Sequence, residues 1–175
     1  MSIGKDYLKT AISRFKNYKE LGEKALAQLS EEQFHFTPHP TVNSIAIIIQ
    51  HMSGNMLSRW TNFLTEDGEK PWRSRDEEFE THPHSRSALM AGWNKGWDQL
   101  FEALEGLGKK DLKKIIYIRQ EPLTVVDAIN RQLAHYSYHI GQIVMMAKII
   151  LKEDWQQLSI PKNGSEAYNN ALMQK

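Results

Sequence analysis

The sequence contains no cysteine. That removes disulfides, thiolate metal ligands and a cysteine nucleophile together, so any metal held by this chain must be bound through nitrogen and oxygen. Charge of one sign is not in excess either: 22 Lys and Arg stand against 21 Asp and Glu, a formal net charge of +1. Such a chain has no strong general attraction for phosphate backbones or anionic lipid, which argues against nucleic acid and membrane surfaces as partners. Long apolar runs are missing as well. SIAIII at residues 44–49 and IVMMA at 143–147 fall far short of the roughly 20 residues a membrane helix needs. The segment MSIGKDYLKTAISRF has neither the apolar core nor the small-residue cleavage site of a secretory signal. Together with the missing cysteines, it leads to the expectation of a cytoplasmic protein.

Several catalytic signatures are absent. There is no GxGxxG, GxxxxGK[ST] or GxSxG, which removes the usual sequence grounds for dinucleotide binding, a phosphate-cradling loop or a serine-hydrolase elbow. HExxH is lacking too, since Tyr136 follows His135. A zincin protease would therefore have no base where its mechanism requires one. The sole ExxH, Glu32 to His35, has no second copy with which to build a di-iron bundle.

What is present is helical periodicity. With 41% hydrophobic residues over 175 positions, the chain is expected to form one globular domain spanning residues 1–175. Apolar residues recur at three- and four-residue steps in four segments, and these predict amphipathic helices over residues 4–29, 44–65, 85–107 and 125–151. Ser30 with Gln33 has the form of a capping box, and Pro38 and Pro40 mark a loop. Residues 67–85 read as a long connection whose charged positions 69–80 are expected to be solvated. The IIYI run within residues 111–123 is compatible with a strand, an edge ribbon or an extended linker. Residues 152–175 are expected to form a C-terminal arm with a short helix near Ser165. Met52, Met56, Trp93 and Trp97 fit core positions better than a cofactor box. Four helical stripes without a succession of strands predict an all-α fold of the four-helix-bundle kind.

One spacing carries chemistry. In HYSYHIGQ, His135 and His139 lie one turn apart and about 40° apart around the predicted fourth helix. Both rings can therefore reach a single point, although surface histidines at this spacing are common. Gln142 continues the same line and is placed to orient a ring. A catalytic metal site normally takes three protein ligands and keeps a position open. His51, inside the predicted second helix, is the best third ligand, with Asn55 one turn further on the same side. His35, His39, His82 and His84 fall in loop-like HP and HPH contexts and read as solvated surface. Arg59 and the Arg73–Arg75 loop are candidate contacts for an anionic substrate.

The histidine in IIIQHMSGNMLSRW and the HxxxHxxQ of HYSYHIGQI together resemble the DinB/YfiT-like superfamily of metal-dependent proteins. The tracts DGEKPWRSRDEEFE and WQQLSIPKNGS point to one bacterial branch within it. The resemblance covers nearly the whole chain. It implies an up-down-down-up four-helix bundle, frequently dimeric, with His51, His135 and His139 as the metal-binding triad. By the same resemblance the metal is divalent, zinc or nickel, and helps activate a low-molecular-weight thiol. The expected function is then that of a metal-dependent transferase or hydrolase acting on a small molecule. A non-catalytic bundle with a structural metal site, and a helical protein with no metal at all, are the alternatives.

Overall fold

The computed structural model describes residues 2–173; the ends of the 1–175 domain expected from the sequence lie outside that range. Six α-helices run in order: α1 Ile3–Leu26, α2 Glu31–Phe34, α3 Ile45–Trp60, α4 Arg86–Glu105, α5 Val125–Leu151 and α6 Ser165–Met173. Strands β1 Ile115–Ile118 and β2 Glu121–Thr124 form a two-stranded hairpin between α4 and α5. Helix thus dominates, as the periodicity predicts.

The four long helices share one core. α3 packs along α4, α1 along α5, and the pairs meet where α3 touches α5 and α1 touches α4. Phe15, Trp60, Trp93, Trp97 and Tyr136 are fully buried at this junction. Side-chain caps set the helix starts: Ser44 accepts from Ile47 N, Ser85 from Ala88 N and Thr124 from Asp127 N, while Ser30 and Gln33 form a reciprocal capping box. Each oxygen satisfies a donor that the first helical turn leaves without a partner.

α3 is buried almost all round, with 13 of its 16 residues inside. That is why residues 45–49 read as a continuous apolar run rather than a stripe. α4 covers one side, and the connection from residue 61 to residue 85, including a 3-10 turn at Asp76–Phe79, covers another. The charged 69–80 stretch is therefore solvated only in part: Arg75, Asp76, Glu77 and Glu80 are exposed, but Lys70 is 4% exposed and the Arg73 side chain 2%. α3 also stops at Trp60 rather than Thr65, because Thr61 turns extended and Asn62 adopts a left-handed φ of 48°. Asn is among the few residues that take this conformation readily.

The ambiguous IIYI run is β1. Ile116 and Ile118 point into the core, and Ile115 and Tyr117 point outward. The connecting turn is unusual in using Arg119 and Gln120 at φ of 55° and 65°, where a two-residue hairpin of this twist prefers Asn-Gly. The Asp67 carboxylate accepts from both of their backbone N–H groups at 2.8 Å. It also accepts from Glu69 N, so one side chain ties the hairpin tip to the start of the connection. Asp67→Ala is expected to lower stability by about 1–3 kcal/mol, and Gln120→Gly in that background to recover part of the loss by removing the left-handed penalty. Urea unfolding of the three proteins checks this; an unchanged midpoint for Asp67→Ala would remove Asp67 from the role.

Candidate metal centre

His51 sits in mid-α3, and His135 and His139 lie on successive turns of α5, the helix that crosses it. The structure brings together the three histidines singled out in the sequence. One ring nitrogen from each lies within 4.8 Å of the other two. His51 Nε2 is 3.3 Å from His135 Nε2, which is 3.1 Å from His139 Nε2. His51 and His139 are 5% and 7% exposed, and His135 is half-buried.

The other nitrogen of each ring faces an oxygen. His51 Nδ1 donates to Glu78 Oε2 at 3.0 Å, His135 Nδ1 to Gln132 Oε1 at 3.3 Å, and His139 Nδ1 to Gln142 Oε1 at 2.8 Å. An imidazole that donates from Nδ1 while neutral keeps a lone pair on Nε2. Three lone pairs therefore converge on one point, an arrangement that repels itself unless a cation lies between them.

A proton is a poor candidate for that cation. Burial, reinforced by the neighbouring imidazoles and by Arg59 and Arg73, pushes His135 down to about 3. Burial also takes His139 down to about 4, against an opposing hydrogen bond from Gln142. The donor set instead fits a divalent metal. Tetrahedral coordination by imidazole at 2.0–2.1 Å needs nitrogens about 3.3–3.4 Å apart, close to the two separations observed. Neutral imidazole suits zinc, nickel, copper and iron.

Glu78 comes from the 3-10 turn of the connection. Its two oxygens accept from Arg73 Nε and Nη2, both at 2.7 Å, and one of them also receives His51. Burial alone would raise this carboxyl, but the Arg73 fork and His51 overturn that and hold it below the usual carboxylate range. Phe79, the next residue, stacks on the His51 ring with centroids 4.7 Å apart. The approach of Glu78 to α3 depends on Gly54, where an added Cβ would overlap Glu78 Oε1 and lie 2.8 Å from its Cδ. On the far side, Tyr136 donates to Asn55 Oδ1 at 3.0 Å and accepts from Trp60 Nε1 at 3.2 Å. That chain fixes α5 against α3 directly beside the histidines.

A cavity of about 640 Å³ opens over the histidines. Its wall includes Asn55, Phe79, Tyr138 and Gln142, and five arginines: Arg59, Arg73, Arg75, Arg119 and Arg131. Among the described residues, no Asp or Glu lines it. Arg59 is not on a solvated helix surface; it is 7% exposed, and its guanidinium bonds the Gly68 carbonyl and Glu69. His35, His39, His82 and His84 stand apart from the cluster. His39 and His84 are exposed, while His35 and His82 are half-buried and contact the backbone carbonyls of His84 and Glu77.

Residues 2–164 match the family described as "Protein of unknown function (DUF1572)". The chain belongs to that family. No curated protein matches it. Among solved structures it is similar to "Crystal structure of the conserved protein of locus from Enterococcus faecalis", at 15% identity and a TM-score of 0.65, over 87% of this chain and 99% of that one. At that identity the likeness supports the fold of this DUF1572 member and nothing of its chemistry.

Gln132, Gly54, Glu78, Arg119 and Arg131 are site residues that the sequence reading does not single out. Gln132 stands three positions before His135 as Gln142 stands three after His139, and that symmetry was the available signal. Gly54→Ala is expected to weaken metal affinity by about 10–100-fold, the range typical for losing a partner behind a ligand, with helix content unchanged. Competitive metal titration with circular dichroism checks it; unaltered affinity would mean that Glu78 does not orient His51.

The buried imidazoles also set a pH dependence. An unfolded histidine takes up its proton near pH 6.5, whereas His135 and His139 resist it until about 3 and 4. In between, the unfolded chain binds more protons than the native one, so stability falls as pH drops below about 6.5. Metal-free protein should show a lower urea midpoint at pH 5 than at pH 7, and His135→Ala a smaller drop. A midpoint that rises on acidification would contradict the burial argument.

Proposed function

We propose that this DUF1572 member is a divalent-metal-dependent enzyme of the DinB/YfiT type. In this reading the chain is one domain, a four-helix bundle in up-down-down-up order that pairs as a homodimer. His51, His135 and His139 hold zinc or nickel. The observation that carries the proposal is the convergence of three Nε2 lone pairs beneath an open cavity, with every Nδ1 already committed to an oxygen. A structural zinc site is closed by four protein ligands, whereas three ligands beside a cavity match the catalytic pattern.

The reaction class that fits best is transfer to or from a small molecule using a low-molecular-weight thiol. A bound divalent cation supplies Lewis acidity, lowering the pKa of a water or thiol that reaches it. The residues of the chain do the rest. Gln132, Gln142 and Glu78 hold the three rings in one tautomer and orientation. Glu78 is engaged by Arg73 and His51 and has no oxygen left over to take a proton from substrate. Without a carboxylate base in the cavity wall, hydrolysis is less well supported than transfer, because a thiol near its pKa needs less help to become a nucleophile. Tyr138, whose ring lies 4.3 Å from that of His139, stands at the rim.

Elemental analysis of protein reloaded with zinc or nickel should give about one equivalent per chain, a cation held by three imidazoles being chelated tightly enough to survive desalting. His51→Ala, His135→Ala and His139→Ala should each abolish that retention, and His82→Ala and His84→Ala should not. The cobalt-substituted protein should change its absorption on addition of a thiol. Equal losses from both groups of histidines would refute the ligand assignment; an inert cobalt spectrum would turn the reading to a structural metal.

A further inference from the structure

Five of the residues around the cavity are arginine and none is lysine. The chain has 22 Lys and Arg, of which only seven are Arg, so chance favours lysine at each such position. The five also come from four separate parts of the fold: Arg59 from α3, Arg73 and Arg75 from the connection, Arg119 from the hairpin turn and Arg131 from α5. Their common feature is the fork geometry of guanidinium, which meets an oxyanion through two parallel N–H donors.

The carboxylates nearby do not use up these forks. Glu69 and Glu78 are the two acids fixed to the group by hydrogen bonds; they engage Arg59, Arg73 and, through Nε alone, Arg119. Arg75 is 3.6 Å from a fully exposed Asp76, and Arg131 is 4.0 Å from Glu121. Neither pair is within hydrogen-bond distance, and each of these two arginines is nearly half exposed. Arg75 is further held over the face of Phe79 at 4.9 Å, which places it beside the ring that stacks on His51. Deeper in the wall, Arg73 uses Nε and Nη2 on Glu78, while its Nη1 is buried without a hydrogen-bond partner, 3.7 Å from the nearest Glu69 oxygen. A buried charged donor left open is uncommon in folded proteins and calls for an explanation.

We propose that the cavity over the histidines is a receptor for a small organic oxyanion, a substrate carrying carboxylate or phosphate oxygens that dock on the forks of Arg75, Arg119 and Arg131. Arg59 and Arg73 form the fixed positive floor beneath it. This rests on the reading of the cavity as a substrate site and adds the class of substrate. The binding surface is positive although the chain as a whole is almost neutral, so its attraction is local and selects for charge at one place. A neutral substrate of the same shape would leave the guanidinium donors to water and gain nothing from them.

Isothermal titration of the full chain, metal-free and zinc-loaded, with succinate, methylphosphonate and neutral succinamide tests the proposal. Succinate or methylphosphonate should bind, succinamide should not, and Arg75→Gln/Arg131→Gln should weaken anion binding by about tenfold or more, the scale of one charged hydrogen bond. Arg75→Lys/Arg131→Lys should restore charge without restoring the bidentate fork, and recover only part of the affinity. The preferred anion separates a carboxylate substrate from a phosphate one. Both arginines are surface-accessible, so circular dichroism and zinc stoichiometry of the variants should match the parent. Failure of both anions to bind, or undiminished binding by the glutamine variant, overturns the proposal and leaves the metal reading intact. Anion binding that persists in a chain unable to retain zinc supports the receptor and removes the metal from the site instead.

Discussion

The mutual approach of three imidazole lone pairs is the constraint on which the rest of this site depends. With each neutral ring donating from Nδ1, Nε2 lone pairs 3.1 and 3.3 Å apart repel, and buried surroundings strengthen the repulsion by weakening its screening. A fold that holds them there must fix each ring from behind. The three Nδ1 contacts do this with one carboxylate and two side-chain amides, which differ in what they give the ring. Glu78 brings a negative charge to the back of His51, whereas Gln132 and Gln142 orient without adding charge. The cluster is thus electronically uneven, with its one anionic supporter behind the α3 histidine.

Holding Glu78 in place takes a second layer. A carboxylate with its side chain only 10% exposed against a helix would be costly without partners, and Arg73 supplies a bidentate one. Arg73 in turn shares Glu69 with Arg59 and Arg119, and Asp67 ties the tip that carries Arg119 back to the connection. From His51 outward, a continuous run of ion pairs and hydrogen bonds reaches the hairpin. The hairpin therefore belongs to the site's support, although it lies far from the histidines in sequence. Gly54 is where this layer meets α3: a methyl group there would occupy the space of the Glu78 carboxylate.

The helices and the His135–His139 pair were legible because both follow a short period, whereas His51 was placed by its position inside a predicted helix. Leu8, Phe15, Trp93, Trp97, Tyr136 and Ile140 recur at helical steps and are all buried, and His135 and His139 share a face through the same geometry. Serine and threonine caps mark the starts of α3, α4 and α5. The connection was not legible, and for a physical reason. Its residues 69–80 have the composition of a solvated loop, and a buried Lys70 or Arg73 is unusual unless the partner is known. Those partners, Glu66 for Lys70 and Glu78 for the Nε and Nη2 of Arg73, are brought to them by a fold of the loop that has no sequence period. The end of α3 was misplaced for a related reason: the apolar residues Phe63 and Leu64 continue the stripe, and Phe63 is indeed buried, but a left-handed Asn62 delivers it from a turn rather than from helix.

The charge distribution shows why overall composition is a weak guide to what such a cavity attracts. With a net charge of +1 the molecule has no long-range pull on polyanions, yet five guanidiniums surround one cavity of about 640 Å³. Three held carboxylates, Asp67, Glu69 and Glu78, cannot balance five cations, and Asp76 and Glu121 are exposed and screened by solvent. The field is therefore strong within a few ångströms and weak beyond. That combination suits capture of a small anion that has already entered the cavity. It is poorly suited to a nucleic-acid backbone, which needs a continuous basic surface, or to a lipid surface, which needs one face to be positive throughout. Burial chiefly, then the neighbouring imidazoles, and last two of these arginines, Arg59 and Arg73, press His135 toward its neutral state, so the positive wall adds to an effect that burial of the ring begins.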